Sequence, residues 1–151
     1  MIHRIEVGLK PHIKDVQGDM LLKKSKKFLN LTISSIKTAQ VFLLNMESSQ
    51  QTMEELADHI LVDPVIHISS LDKPLWSDSA HWLLEIGLQP GVTDNVGRTA
   101  REVLETYLGR KLDHQEGVYT ACQYWIEGDL SSSQVEELAD KLIANRLIQR
   151  W

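Results

Sequence analysis

The residues with the most reactive side chains are one cysteine and six histidines, so their spacing is considered first. Cys122 could serve as a glutaminase-type nucleophile with His114 as its base. Such a nucleophile needs a sharp turn and a positioned base, whereas Cys122 lies in a strand pattern between Ala121 and Gln123. A half-buried structural thiol is therefore the preferred interpretation.

The histidines do not form a metal-binding pattern. They are His3, His12, His59, His67, His81 and His114. No two of them are four residues apart on one predicted helix, and no cluster of ligand types surrounds them. The sequence predicts no metal site.

Phosphate-binding loops are also missing from the sequence. Neither Gly-x-x-x-x-Gly-Lys-(Ser/Thr) nor Gly-x-Gly-x-x-Gly occurs. Gly109-Arg110-Lys111 follows a predicted helix and does not precede one, which is typical of a helix end. We therefore expect no catalytic residues, no cofactor-binding residues and no ATP site in this chain.

Composition and charge restrict the class of partner. The 151 residues carry a net charge of −5, which argues against nucleic acid because phosphate binding needs a basic surface. The longest apolar runs, such as residues 41–44, are too short to span a bilayer. A single cysteine and the lack of a signal-peptide pattern favour the cytoplasm. We expect a cytoplasmic protein that binds neither nucleic acid nor membrane.

The elements that would position any functional site occur twice in the sequence. Residues 6–18 and 85–97 share six identities at a constant separation of 79 residues. The pairs are Glu6/Glu85, Gly8/Gly87, Leu9/Leu88, Pro11/Pro90, Asp15/Asp94 and Gly18/Gly97. Three extra residues within 109–117 raise the separation to 82, as between residues 54–58 and 136–140. Such ordered self-similarity predicts an internal repeat.

Each copy predicts the order strand, helix, long strand, helix, short strand. The predicted long strands are 33–46 and 115–126, and the predicted last strands are 65–71 and 147–151. The second helices are expected to begin at the capping-box patterns Thr52-x-x-Glu55 and Ser133-x-x-Glu136. The predicted fold class is α+β, a tandem β-α-β-α-β repeat related to ferredoxin-like folds, with helices packed on an antiparallel sheet.

The domain organisation follows from the repeat. We predict one copy at residues 1–71, a linker at 72–80 and a second copy at 81–151. The linker is short and polar, so the two copies are expected to pack together as a pseudo-twofold pair and not to behave as independent domains.

Seven residues are candidates for contact with a partner. They are Asp15, Gly18, Asp94, Gly97, Arg98, Arg101 and Trp151. The aspartates are predicted to N-cap the first helix of each copy. The glycines fall in the first turn of those helices at a cost of about 1 kcal/mol each relative to alanine, so something is expected to pack against the bare backbone. The arginines suit acidic groups or phosphate.

The lysines at residues 23–27 and the four tryptophans have simple structural interpretations. The lysines predict a solvated helix face. Trp82 and Trp125 are expected in the core, whereas Trp76 or Trp151, if exposed, would mark a covered surface.

In their order along the chain, these motifs resemble the PurS family, the small subunit of phosphoribosylformylglycinamidine synthase. The resemblance rests on Gly-Leu-x-Pro, on Asp-x-x-Gly before a helix, and on Glu-Glu-Leu-Ala in the second helix. It covers essentially the whole chain. Residues 90–100 and 142–151 look especially like the doubled module at the N-terminus of single-chain forms of the enzyme. The family's frequent Asp-Pro helix start is absent, since Val16 and Asn95 follow the aspartates.

The resemblance implies a non-catalytic assembly role in de novo purine biosynthesis. The PurS module bridges PurL-type synthetase and PurQ-type glutaminase parts and helps form the ammonia path between them. The complete enzyme uses ATP, Mg²⁺ and glutamine to convert formylglycinamide ribonucleotide to the amidine. The family's subunit is a homodimer, which this chain would imitate as a pseudo-dimer.

A second interpretation stays open at this point. Tandem ferredoxin-like units can form a regulatory module that binds an amino acid or nucleotide between them, with Gly-Leu-x-Pro-x-x-x-Asp as the ligand loop. RNA binding through the sheet is disfavoured by the net charge and by the missing aromatic motif.

Overall fold

The computed structural model describes residues 1–76 and 80–151. The middle of the predicted linker, residues 77–79, lies outside the described residues. The first half consists of β1 (Ile2–Leu9), α1 (Val16–Leu29), β2 (Ile33–Asn45), α2 (Gln50–Glu55) with a following π-helical turn (Leu56–Ile60), and β3 (His67–Leu71). The second half consists of β4 (Trp82–Leu88), α3 (Asn95–Leu108), β5 (Gly117–Gly128), α4 (Ser132–Leu138) with its π-helical turn (Ala139–Ile143), and β6 (Gln149–Arg150).

All the strands of the described residues lie in one antiparallel sheet with the order β3-β1-β2-β5-β4-β6. The long strands β2 and β5 pair at its centre from Ile33 to Asn45. The predicted α+β class with helices on an antiparallel sheet is therefore confirmed.

Repeat-equivalent residues face each other at the centre of the sheet. Gln40 is opposite Cys122, and these positions are 82 residues apart (122 − 40). On either side, Ala39 pairs with Gln123, the equivalent of Val41, and Val41 pairs with Ala121, the equivalent of Ala39. This register places a local pseudo-twofold axis between β2 and β5.

Several predicted boundaries differ from the structure. The strand predicted at 115–126 spans Gly117–Gly128, and the last strands are shorter than predicted. The predicted capping boxes are wrong, because α2 and α4 are capped by Ser49 and Ser131. A capping box does form at α4, but its glutamine is Gln134 and not the predicted glutamate.

Two apolar cores cover the helix side of the sheet, and each combines residues from both halves. The first core packs Leu56 of the first half with Ala100 and Leu104 of α3. The second core packs Leu138 of the second half with Leu21 of α1. The first helix of each half thus packs in the same core as the second helix of the other half.

No helix among residues 1–76 and 80–151 is long and apolar enough to cross a membrane.

Candidate partner interface

Asp15 joins the start of α1 to the neighbouring strand. Its carboxylate accepts hydrogen bonds from the backbone N–H of Gly18 at 2.8 Å and from the backbone N–H and hydroxyl of Thr38 at 2.7 and 2.9 Å. Gly18 is buried, and a Cβ there would overlap the carbonyl oxygen of Ile36. The predicted N-cap is confirmed, and the close approach at the glycine is internal.

Asp94 makes the same contacts in the second half. It accepts hydrogen bonds from the N–H of Gly97 and of Thr120, both at 2.7 Å. A Cβ on Gly97 would lie 2.9 Å from the carbonyl oxygen of Val118. Both aspartate–glycine pairs therefore fasten a helix to the sheet of the same half, and no outside partner is needed to explain the glycines.

Arg101 is likewise engaged within the chain. Its guanidinium donates to the Glu105 carboxylate at 3.1 Å and to the carbonyl oxygens of Glu116 and Leu112 at 3.1 and 2.6 Å. Glu105 also accepts from Lys111 and from the backbone N–H of Leu112, and these contacts lower the pKa of its carboxyl to about 2. Arg101 thus fixes the loop that contains the three extra residues of the second half.

A second ion pair closes the same loop. Arg110 donates to both carboxylate oxygens of Glu116, at 2.7 and 2.8 Å. Together with the backbone N–H of Asp113, this contact lowers the pKa of Glu116 to about 2. The loop is therefore held by charged hydrogen bonds on both sides.

Arg98 and Trp151 are the candidates that lie nearer the surface. Arg98 is exposed on the first turn of α3. Trp151 is half-buried, its indole N–H donates to Glu136 at 2.8 Å, and the guanidinium of Arg146 lies 4.9 Å from its ring. Of the seven predicted interface residues, Arg98 is the one that is exposed.

The side of the sheet opposite the helices carries a polar network that the sequence analysis missed. Arg4 donates to the carboxylates of both Glu6 and Glu85, which are repeat equivalents. Gln123 donates to the same two carboxylates at 3.0 Å and accepts from the indole of Trp125 at 2.9 Å. The matching glutamates were a signal in the sequence, but nothing there indicated that one arginine would reach both.

In this network, charge pairing and hydrogen bonding shift the pKa values more than burial does. Burial acts to raise the pKa of Glu85, yet hydrogen bonds from Arg4 and Gln123 hold that pKa below its ordinary value. For Arg4, burial acts to lower the pKa, and the two carboxylates raise it overall. Glu6 is only 3% exposed, so its carboxylate receives hydrogen bonds from these partners in place of water.

The first part of the linker lies across this side of the sheet. The backbone N–H of Leu75 donates to Glu6 at 2.8 Å, and the rings of Trp76 and Trp125 lie nearly perpendicular with centroids 5.6 Å apart. Lys37 lies 5.1 Å from the Trp76 ring. We call Leu75 and Trp76 the strap. The strap explains why Glu6 and Trp125 are buried although no helix covers them.

On the helix side, a cleft of about 440 Å³ opens beside the pseudo-twofold axis. Its lining includes Leu9 and Lys14 of the predicted ligand loop, together with Gln40, Cys122 and Tyr124. Cys122 is half-buried, and burial raises the pKa of its thiol, with the charge of Asp94 adding to the effect. A raised pKa is the opposite of what activates a nucleophilic cysteine.

Reactive constellations are not found in the part of the chain that the structure describes. No group of three or more His, Cys, Asp or Glu side chains there could hold a metal ion. The charged clusters instead connect loops, helix starts and the linker to the sheet. Fold and site together define an α+β protein whose polar clusters serve internal structure.

Comparison with protein families finds a match in the first half of the chain. Residues 2–73 match the PurS family, described as Phosphoribosylformylglycinamidine (FGAM) synthase. The amino-terminal half of the chain is thus PurS-like, and the resemblance seen in the sequence is confirmed over this range. That family is associated with the FGAM synthase complex of purine biosynthesis. No curated protein matches the chain.

Proposed function

We propose that this chain is a tandem PurS-type module that bridges the synthetase and glutaminase parts of FGAM synthase and helps conduct ammonia between them. The observation that carries the proposal is the PurS match over residues 2–73 in a chain whose second half repeats the same element order within one sheet. The module itself is non-catalytic. ATP and Mg²⁺ belong to the synthetase part, and the setting is the cytoplasm.

The shared contacts of the two halves support a tandem origin. The aspartate–glycine–threonine arrangement at the start of α1 recurs at the start of α3 with the same donor and acceptor atoms. The central pairing of β2 with β5 joins the halves as two subunits of a symmetric dimer would be joined. One chain can therefore supply the surface that the family builds from two subunits.

The proposal is tested by reconstitution with synthetase and glutaminase polypeptides that lack this region. We expect glutamine-dependent formation of the amidine to require the chain, whereas the reaction supplied with free ammonium salt requires it much less. The chain alone is expected to show neither ATPase nor glutaminase activity. If the two polypeptides associate and use glutamine equally well without the chain, the bridging role is excluded.

Arg98 offers a matched pair of variants for this assay. Arg98→Glu is expected to weaken assembly, because it reverses an exposed charge on α3. Lys73→Glu makes the same charge change at an exposed linker residue and is expected to leave assembly unchanged. Equal effects of the two substitutions would show that only net charge matters.

A small-molecule sensor is the second candidate, favoured by the cleft beside the pseudo-twofold axis. This cleft combines the predicted ligand loop with Gln40, Cys122 and Tyr124 of the central strands, and its volume suits an amino acid or a nucleotide. A thermal-shift screen with amino acids and purine nucleotides separates the candidates. A shift of several degrees would favour sensing, since a ligand that binds only the folded state raises its stability.

A further inference from the structure

Two grooves on the helix side have the same construction. The α1 groove lies between α1 and the π-helical turn of the second half, and the α3 groove lies between α3 and the π-helical turn of the first half. Each lining residue of one has its repeat equivalent in the other; for example, Leu142 and Ile143 of the α1 groove correspond to Ile60 and Leu61 of the α3 groove. Both grooves have a volume of about 440 Å³.

The grooves differ in charge. On α1, the exposed residues Lys23, Lys24, Lys26 and Lys27 stand where α3 has Glu102, Val103, Glu105 and Thr106, at the separation of 79 residues. Lys24 itself lines the α1 groove. Four lysines on two turns make one positive surface in a chain of net charge −5. The α1 groove is therefore basic, and its structural equivalent is not.

Apolar side chains continue the same face of α1. Val16 and Met20 line the α1 groove and are 57% and 52% exposed. With Lys24 and Lys27 they follow the spacing i, i+4, i+8 and i+11, which places all four on one face of a helix. This face is apolar toward the start of the helix and basic toward its end.

The lysines are not neutralised within the described ranges. The ion pairs found there involve other cations, while Lys27 lies 5.3 Å from the ring of its neighbour Phe28. Carboxylates supplied from outside the chain would complement this rim.

We propose that the α1 groove docks an acidic amphipathic helix of a partner protein. Apolar side chains of that helix enter between Met20 and the π-helical turn, and its flanking carboxylates meet Lys23, Lys24 and Lys27. The α3 groove has a similar shape but lacks the basic rim, so it does not select the same partner helix. Assigning the helix to a polypeptide of FGAM synthase rests on the function proposed above.

The probe is a synthetic 18-residue helical peptide with leucines along one face and glutamates beside them. Its binding to the full chain is measured by titration calorimetry at low and at physiological salt. Controls are a peptide of the same composition in scrambled order and a peptide with lysine in place of glutamate. We expect the acidic helical peptide alone to bind, and more weakly as salt rises.

The matched variants are the triple substitution Lys23→Glu, Lys24→Glu, Lys27→Glu and, on α3, Glu102→Lys. The triple variant is expected to lose about tenfold or more in peptide affinity, because it turns attraction into repulsion at an exposed rim. Glu102→Lys is expected to leave the affinity unchanged. Since all four side chains are exposed, circular dichroism should show both variants folded.

Three outcomes would overturn the groove proposal. These are equal affinity of the triple variant and the unchanged chain, equal binding of the scrambled peptide, and preferential binding of a DNA duplex over the acidic peptide. Repeating the assembly assay with the triple variant separates this proposal from the bridging role. If the triple variant assembles as well as the unchanged chain, the groove is not the contact, but the bridging role stands. If the unchanged chain binds the peptide but does not assemble the two polypeptides, the groove proposal stands and the bridging role is excluded.

Discussion

Arg4 shows how the two halves differ at a single position. Its repeat equivalent is Leu83, which is 79 residues later, yet the glutamates on either side are equivalent to each other. A strictly symmetric pair with leucine at both positions would bring Glu6 and Glu85 near Gln123 without a cation. One arginine serves both carboxylates, so the asymmetry supplies a cation to the buried Glu6 and to the half-buried Glu85.

Replacing Arg4 by leucine is therefore predicted to destabilise the fold. The unfolding free energy in urea at pH 7 should fall by about 1–3 kcal/mol, because two carboxylates lose their charged donor. The folded pKa of Glu85 lies below its ordinary value of 4.5, so the arginine's contribution is present above pH 4.5 and is lost as the pH falls. The difference between the unchanged chain and the variant should therefore narrow below pH 4.5.

Two further variants make the Arg4 experiment specific. Arg98→Leu removes an exposed arginine outside the network and should change stability by no more than about 0.5 kcal/mol. Adding Glu85→Gln to Arg4→Leu should restore part of the loss, since it removes one of the two carboxylate charges that have lost their cation. If the double variant is less stable than Arg4→Leu alone, repulsion between the carboxylates is not the cause.

Sequence patterns predicted single residues well where the contact is local. Asp15 and Asp94 were predicted as N-caps because each precedes a helix pattern by one residue, and the structure confirms both. The Arg4 network joins residues 81 and 117 positions apart in the chain. Such contacts depend on the order and curvature of the strands, which periodicity does not contain.

At the scale of elements, the strap distinguishes two otherwise equivalent strands. Gly8 of β1 and Gly87 of β4 occupy the same repeat position. A Cβ on Gly8 would lie 2.7 Å from atoms of both Leu75 and Trp76, whereas a Cβ on Gly87 would have no atom within 4 Å. The close approach thus occurs at Gly8 and not at Gly87.

Alanine at the two glycines provides a paired test of the strap. Gly8→Ala should lower the unfolding free energy by about 1–3 kcal/mol through overpacking and should alter tryptophan fluorescence by displacing Trp76. Gly87→Ala should be neutral or slightly stabilising, because alanine restricts the unfolded chain. Trp76→Ala in the Gly8→Ala background should recover stability. Equal effects at both glycines would show that the strap does not pack on β1.

Helix starts were predicted less accurately than the helices themselves. Thr52 and Ser133 fit the capping pattern, but the preceding serines at 49 and 131 take the cap positions. Several hydroxyl residues in a row offer alternative caps of similar strength. The choice among them depends on how the preceding loop leaves the sheet.

For the whole molecule, the two mixed cores predict a single cooperative unfolding transition. Leu56 and its equivalent Leu138 are both fully buried, one in each core. Alanine at either position should cost about 2–5 kcal/mol. Since each core contains residues of both halves, each substitution should shift the same urea transition, followed by circular dichroism and tryptophan fluorescence. Two separate transitions, with each substitution moving only one, would show that the halves unfold independently.

The order of elements was predictable from the sequence, but their pairing across the halves was not. The repeated pattern gave each half the same strands and helices. It did not indicate that α1 would share a core with α4, or that β2 and β5 would meet along their whole length. These arrangements are decided by which apolar faces can be buried together, and each half has a compatible face for the other.

The opposition of Gln40 and Cys122 has a consequence for how this protein can vary. In an assembly of two identical subunits, whichever residue occupied the position beside the axis would necessarily confront a copy of itself. A single polypeptide escapes that restriction, and here an amide that donates to the Ala121 carbonyl oxygen stands against a thiol. A substitution at this position therefore changes one side of the seam alone, which a pair of identical subunits cannot do.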